Sequence, residues 1–224
     1  MVFAFFKKAD PGLEHIATRS VAMLNDARHS FDLATLALLG GATIEAVAED
    51  VRATDHRINQ AEQDLRSELV VHVSVQGTAD IGLVMGYTLL LKKIERIGDQ
   101  AKNILDLAEE GATLADGPDS AELMAERQTV SELFAEAAEL LAEPDEHRVD
   151  GYAERIQGIS AAQQEKINSL THTDMPGREA VPRAIYYRYM KRIVANLLGV
   201  VSTASEPLPH IDYLDDGNTD ITDD

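Results

Sequence analysis

Apolar residues in this chain recur at intervals of three and four over long stretches, the spacing that lines one face of an α-helix and does not suit a strand. Ile44, Val47, Val51, Thr54, Ile58, Ala61 and Leu65 form one such seam. Val84, Tyr87, Leu91, Ile94, Gly98, Ala101, Leu105 and Ala108 form a second. A third, through Tyr187, Met190, Val194, Leu197, Val201 and Ala204, reproduces the later positions of the second 96 residues further on. Two seams in one phase at a fixed offset indicate an internal repeat.

Breakers divide the chain consistently with that repeat: Pro11-Gly12, Gly40-Gly41, Gly77, Gly111 with Gly117-Pro118, Pro144 and Pro176-Gly177. The intervals predict helices near 12–39, 42–71, 79–110, 119–142, 146–171 and 179–205. Hydrophobic residues make up 45% of the chain but aromatics only 5%, with no Trp, so the core is built from Ala, Leu, Val and Ile. Such side chains suit helix-on-helix packing. The expected fold is all-α: six helices forming two tandem three-helix bundles, with short connections making successive helices antiparallel. The first repeat spans 1–111 and the second 119–206, joined by Ala112–Asp119. Residues 207–224 are expected to be a solvated, disordered acidic tail, because from Glu206 onward there are seven acids and no Lys or Arg.

Charge narrows the function. Twenty basic against thirty-nine acidic residues leave −19, a surface that repels phosphate backbones, so direct nucleic-acid binding is not expected. The absence of Cys removes disulfides, thiolate nucleophiles and Cys-ligated metals. The nearly apolar run Ile81 to Leu91 falls short of the roughly twenty residues a bilayer span needs. Met1–Phe6 is apolar but lacks the charge order and cleavage site of a secretory signal. A cytoplasmic protein is expected, with Met1–Phe6 either a frayed terminus or a short foot for peripheral membrane association. Seven Lys against thirteen Arg, with abundant Ala and surface acid, resembles the composition of proteins adapted to high salt.

The densest group of reactive side chains lies in the first half. Glu95 and Asp99 stand at i,i+4 beside the seam positions Ile94 and Gly98, while Asp55, Asn59 and Glu62 stand beside Thr54, Ile58 and Ala61. If the two seams face each other, Asp55, Glu62, Glu95 and Asp99 meet across one groove. Two such charges about 4 Å apart repel by roughly 4 kcal/mol at an effective dielectric near 20, so compensation is required. Lys92, Lys102, Arg66 and Arg96 are near enough in sequence to supply it as an ion-paired face. A cation bound by the carboxylate oxygens is the alternative. No Glu of either stripe is followed three residues on by His, which disfavours a ferritin-like di-iron site.

The segment Lys93-Ile94-Glu95-Arg96-Ile97-Gly98-Asp99-Gln100-Ala101-Lys102-Asn103-Ile104 resembles the E/D-R-I-G-D-H-A-x-N-I helix of the PhoU family of phosphate-uptake regulators. Asp55-His56-Arg57-Ile58-Asn59-Gln60-Ala61-Glu62 is similar to that family's preceding D-x-x-I-N/D-x-x-E helix. With the duplicated layout, the likeness covers nearly the whole chain. It implies a pair of three-helix bundles whose acidic motifs hold metal clusters, commonly of iron or zinc. It also implies a non-enzymatic role, restraining phosphate uptake and starvation signalling through the cytoplasmic components of a phosphate transporter and a sensor histidine kinase. Carried onto this sequence, Glu95 and Asp99 match the acidic pair and Asp55 and Glu62 its facing helix.

The second half departs from the pattern. With the seams matched, Lys191 replaces Glu95, Ala195 replaces Asp99 and Gly199 replaces Asn103, while Arg192-Ile193 retains Arg96-Ile97. Matching Glu62 to Glu165 puts Gly158 at the place of Asp55 and Ala162 at that of Asn59. At most one metal site is therefore expected, in the first repeat. The competing readings are a carboxylate-bridged metal enzyme on the same four acids and a metal-free helical scaffold. His56 and His72 read as surface residues. Tyr186-Tyr187-Arg188-Tyr189 reads as helix core plus flank, with a partner-docking patch as its alternative. A homodimer is compatible with everything above.

Overall fold

The computed structural model describes residues 11–117 and 119–205. Met1–Phe6 and the acidic stretch 207–224 lie outside them. Among the described residues there are six helices: α1 Pro11–Leu38, α2 Ile44–Gln76, α3 Ile81–Glu109, α4 Ser120–Ala142, α5 Glu146–Leu170 and α6 Gly177–Ser205. Among the described residues there is no strand, and no helix is long and apolar enough to cross a membrane.

The two three-helix units, α1–α3 and α4–α6, share a common centre. α1 packs on α3, α3 on α6, α6 on α4 and α4 back on α1, closing a ring of four helices. α2 lies against α1 and α3. α5 lies against α6 and reaches α4 by side chains, the Tyr152 hydroxyl donating to the Leu133 carbonyl at 3.2 Å and Arg155 pairing with Glu136 at 2.5 Å. One apolar core runs through both units, from Leu13 and Phe31 to Tyr186 and Leu197. Phe31 and Phe134 meet at 5.3 Å between ring centres and join α1 to α4. Across the same contact Asp32 receives Arg127 at 2.6 Å and the Ser131 hydroxyl at 3.2 Å. Tyr186 and Tyr187 are core residues, while Arg188 is exposed, in line with the core-plus-flank reading.

Boundaries follow the breakers, with one extension. The expected end of the second helix, at 71, falls inside Val70-Val71-His72-Val73-Ser74-Val75, where β-branched residues are poor helix formers. The helix nonetheless continues to Gln76, and the Gly77 N–H still bonds the Val73 carbonyl at 2.9 Å. It stops there because Gly77 takes φ +78°, a conformation that suits glycine and ends helices.

Candidate functional site

The seams on α2 and α3 do face each other. Val51, Thr54, Ile58 and Leu65 of α2 are buried, as are Leu91, Ile94, Gly98, Ala101 and Leu105 of α3. The helices come close at Gly98, where a Cβ would stand 3.1 Å from Ile58 Cδ1. A residue larger than alanine there would press on Ile58 and hold the helices apart. The acidic stripes flank this contact, so Asp55 and Glu62 project beside Asp99 and Glu95.

Lysines stand between the stripes. Lys92 Nζ is 2.6 Å from Glu95 Oε2 and 4.0 Å from Glu62 Oε1. Lys102 Nζ is 3.2 Å from Asp55 Oδ2 and 3.7 Å from Asp99 Oδ1. Each ammonium thus straddles one carboxylate of α2 and one of α3. Arg66 adds a guanidinium 3.1 Å from Glu62 Oε1, and Asn59 donates weakly to Asp55 at 3.4 Å. Burial separates the four acids: the Glu62, Glu95 and Asp55 side chains are 9%, 12% and 13% exposed, against 41% for Asp99.

The electrostatics agree with this geometry. Burial, and then the neighbouring Glu95, push the Asp99 carboxyl above its usual range, against the pull of Lys102. Burial also works against the Lys102 ammonium, but its bond to Asp55 and the charges of Asp55 and Asp99 outweigh that, and its pKa rises. Lys102 is a fixed cation at neutral pH.

A metal would need three or more of these oxygens at about 2.0–2.6 Å from one point. Among the described residues no three His, Asp or Glu side chains converge in that way, and the ammonium groups stand where the cation would. The hard-oxygen donor set suits a metal, but Glu62 Oε1 and Glu95 Oε2 are already ion-paired with Arg66 and Lys92. The arrangement as it stands does not fit one. His56 is exposed, and His72 pairs with Asp80 across the α2–α3 turn at 3.0 Å. Neither belongs to the acidic face.

Three features escaped the sequence reading. Arg96, near Asp99 in sequence, makes no ion pair with it among the described residues and lines a groove between α3 and α6. In the second repeat Gly158, Ala162 and Glu165 are all exposed, and the inward line of α5 is Val149, Tyr152, Ile156 and Gln163. Glu165 therefore does not face inward as Glu62 does in α2. No acid stands on the inward line of α5, and Lys191 donates to Gln164 Oε1 at 2.8 Å. Lastly, Arg183 makes a forked pair with Asp119, both bonds 2.9 Å, tying the start of α6 to the start of α4. Those partners lie 64 positions apart, with no local pattern to link them.

Comparison with known proteins agrees with this architecture. Residues 20–108, which include most of α1 and all of α2 and the acidic face, match the family model of the PhoU domain. Among solved structures the chain resembles PhoU from Pseudomonas aeruginosa, with a TM-score of 0.73 at 20% identity over 86% of this chain and 95% of that one. At that identity the likeness establishes the fold. No curated protein matches the chain in sequence.

Proposed function

From a chain of the PhoU family, most of its first repeat matched by the PhoU domain and 86% of its length alike in fold to a PhoU, we propose a non-enzymatic regulator of phosphate homeostasis. It acts as an adaptor on the cytoplasmic components of a phosphate transporter, a sensor histidine kinase, or both. The observation that carries this reading is the coincidence of the PhoU domain with the helices that build the acidic face. Regulation by contact needs a surface and no turnover. The four carboxylates are engaged by lysine and arginine, which speaks against their serving as ligands of a metal enzyme.

A docking surface is available at the α2–α3 turn. Val70, Val71 and Val75 are 67%, 61% and 74% exposed, and Ile81 and Met85 follow just past Gly77. Apolar side chains concentrated at one turn are what a partner surface offers. The test is co-purification of the full chain with the transporter's cytoplasmic subunits and with the kinase's cytoplasmic part, at physiological and at high salt. Capture is expected with one of them and is expected to be lost in Val71→Asp/Val75→Asp with helicity intact. Capture by neither at either salt would sink the adaptor reading.

The acidic face supports a second reading, in which it is an ion-paired seam that fixes the α2–α3 angle without metal. Lys92 and Lys102 between the stripes favour it. An iron or zinc cluster on Asp55, Glu62, Glu95 and Asp99 would have to displace both ammonium groups.

A further inference from the structure

Arg96 and Arg192 occupy matching places in the two repeats, 96 residues apart. The packing of α3 on α6 brings both to one groove of about 620 Å³. Neither guanidinium has an ion pair among the described residues, although the chain carries a net charge of −19 and acids are plentiful. Two uncompensated arginines on one groove of so acidic a protein are opposed to the field of the rest of the molecule.

A buried group points to the same place. Gln100 lines the groove, is only 7% exposed, and its Oε1 has no hydrogen-bond partner. A buried amide left unpaired costs free energy unless something meets it. Because amide oxygen and nitrogen exchange by a half-turn, Gln100 can present an N–H as readily as a carbonyl. Lys93 also reaches this groove, through a change peculiar to the second repeat. It lies over Gly199, where a Cβ would fall 2.5 Å from its Nζ, and the first repeat has Asn103 at the matching position.

We propose that the α3–α6 groove binds a phosphoryl-bearing anion through Arg96, Arg192 and the Gln100 amide. The choice of anion follows from the donors. Two guanidinium forks and an amide offer more N–H groups than the two oxygens of a single carboxylate can accept, whereas a tetrahedral phosphoryl group presents three or four oxygens. Asp99 also lines the groove. Its carboxylate repels an anion with no proton, such as sulfate, and accepts a hydrogen bond from a protonated phosphoryl oxygen. Arginine serves here better than lysine because its fork engages two oxygens at once. The assignment stands whether or not the chain regulates phosphate transport, since it rests on the groove alone.

The test is isothermal titration of the full chain at physiological ionic strength with inorganic phosphate, tripolyphosphate, adenosine 5′-diphosphate and sulfate. Wild type is compared with Arg96→Gln/Arg192→Gln and with Arg178→Gln/Arg188→Gln, which removes the same charge elsewhere, all checked for equal helicity. Saturable binding of a phosphate probe is expected, weakened about tenfold or more by the groove pair and little by the control pair. Arg96→Lys/Arg192→Lys, which keeps the charge and removes the forks, is expected to fall between them. Binding of inorganic phosphate identifies the free ion as the ligand. Binding confined to the diphosphate or tripolyphosphate assigns the site to a phosphoryl group on a larger molecule. Absence of saturable binding by all three phosphate probes overturns the proposal, as do equal losses in the two glutamine pairs or sulfate binding as tight as phosphate.

Discussion

Single side chains decide how this molecule tolerates its acids. Lys92 lies against two largely buried carboxylates, Glu62 and Glu95, and removing a buried partner leaves the other charges uncompensated. Lys92→Met is accordingly expected to destabilise the fold by about 1–3 kcal/mol, read as a drop in the urea midpoint at unchanged slope. Chelation of the wild type is expected to leave its melting temperature unchanged. Elemental analysis that finds iron, zinc or manganese in wild type, lost in Glu95→Gln/Asp99→Asn, would show that a cation displaces the lysines. A second residue-scale effect depends on pH. The hydrogen bond from Arg183 holds the Asp119 carboxyl below its ordinary value of 3.8 against the cost of burial. A carboxyl lowered by folding contributes stability that is complete above its unfolded pKa and is lost as pH falls through its folded pKa. Asp119→Asn is therefore expected to lower stability at neutral pH by about 2–3 kcal/mol, below the usual range for a fully buried pair because Asp119 remains partly exposed. It is also expected to flatten the fall in stability below about pH 4, where wild type loses the same contribution. An acid limb identical in both proteins would dissociate the pair from stability.

At the level of elements, the contact between α2 and α3 depends on how close the helices can come. Gly98 sits 3.1 Å, by a virtual Cβ, from the tip of Ile58. Alanine is expected to be nearly neutral there, because Ile58 Cδ1 can rotate aside and helix propensity returns up to about 1 kcal/mol. Valine adds γ-methyls with nowhere to go, and Gly98→Val is expected to cost about 1–3 kcal/mol. Thermal melts of the two variants side by side test this, and a valine variant as stable as alanine would mean the approach is looser than the packing indicates. The same element pair shows what pattern alone can convey. Seam and acidic stripe were legible as offsets on α2 and α3, because helical periodicity carries face and neighbour together. In α5 the match of Glu165 to Glu62 does not carry over in burial, since Glu165 is exposed and Glu62 is not, because the α5 seam carries no chemical marker that survives from the first repeat.

For the whole molecule, a charge of −19 makes compactness itself an electrostatic cost. Salt screens that repulsion over a Debye length of about 10 Å at 0.1 M and about 3 Å at 1 M. The urea midpoint is expected to rise from low salt to molar sodium chloride, with the lysine-bridged acidic face and the Arg183 pair largely protected by burial. A falling midpoint would mean that surface ion pairs outweigh net repulsion. The shared four-helix centre further implies one cooperative transition for both repeats. Helix number, their approximate extents, the repeat and the acidic stripes were all determined by the sequence, because each is written in the local spacing of residues along one helix. The closing of α1, α3, α4 and α6 into one ring, the placing of Lys92 and Lys102 between carboxylates of different helices, the Asp119–Arg183 fork and the meeting of Arg96 with Arg192 were decided only in the tertiary structure. Each joins residues far apart in the chain, and periodicity says which way a side chain faces on its own helix but not which other helix it meets.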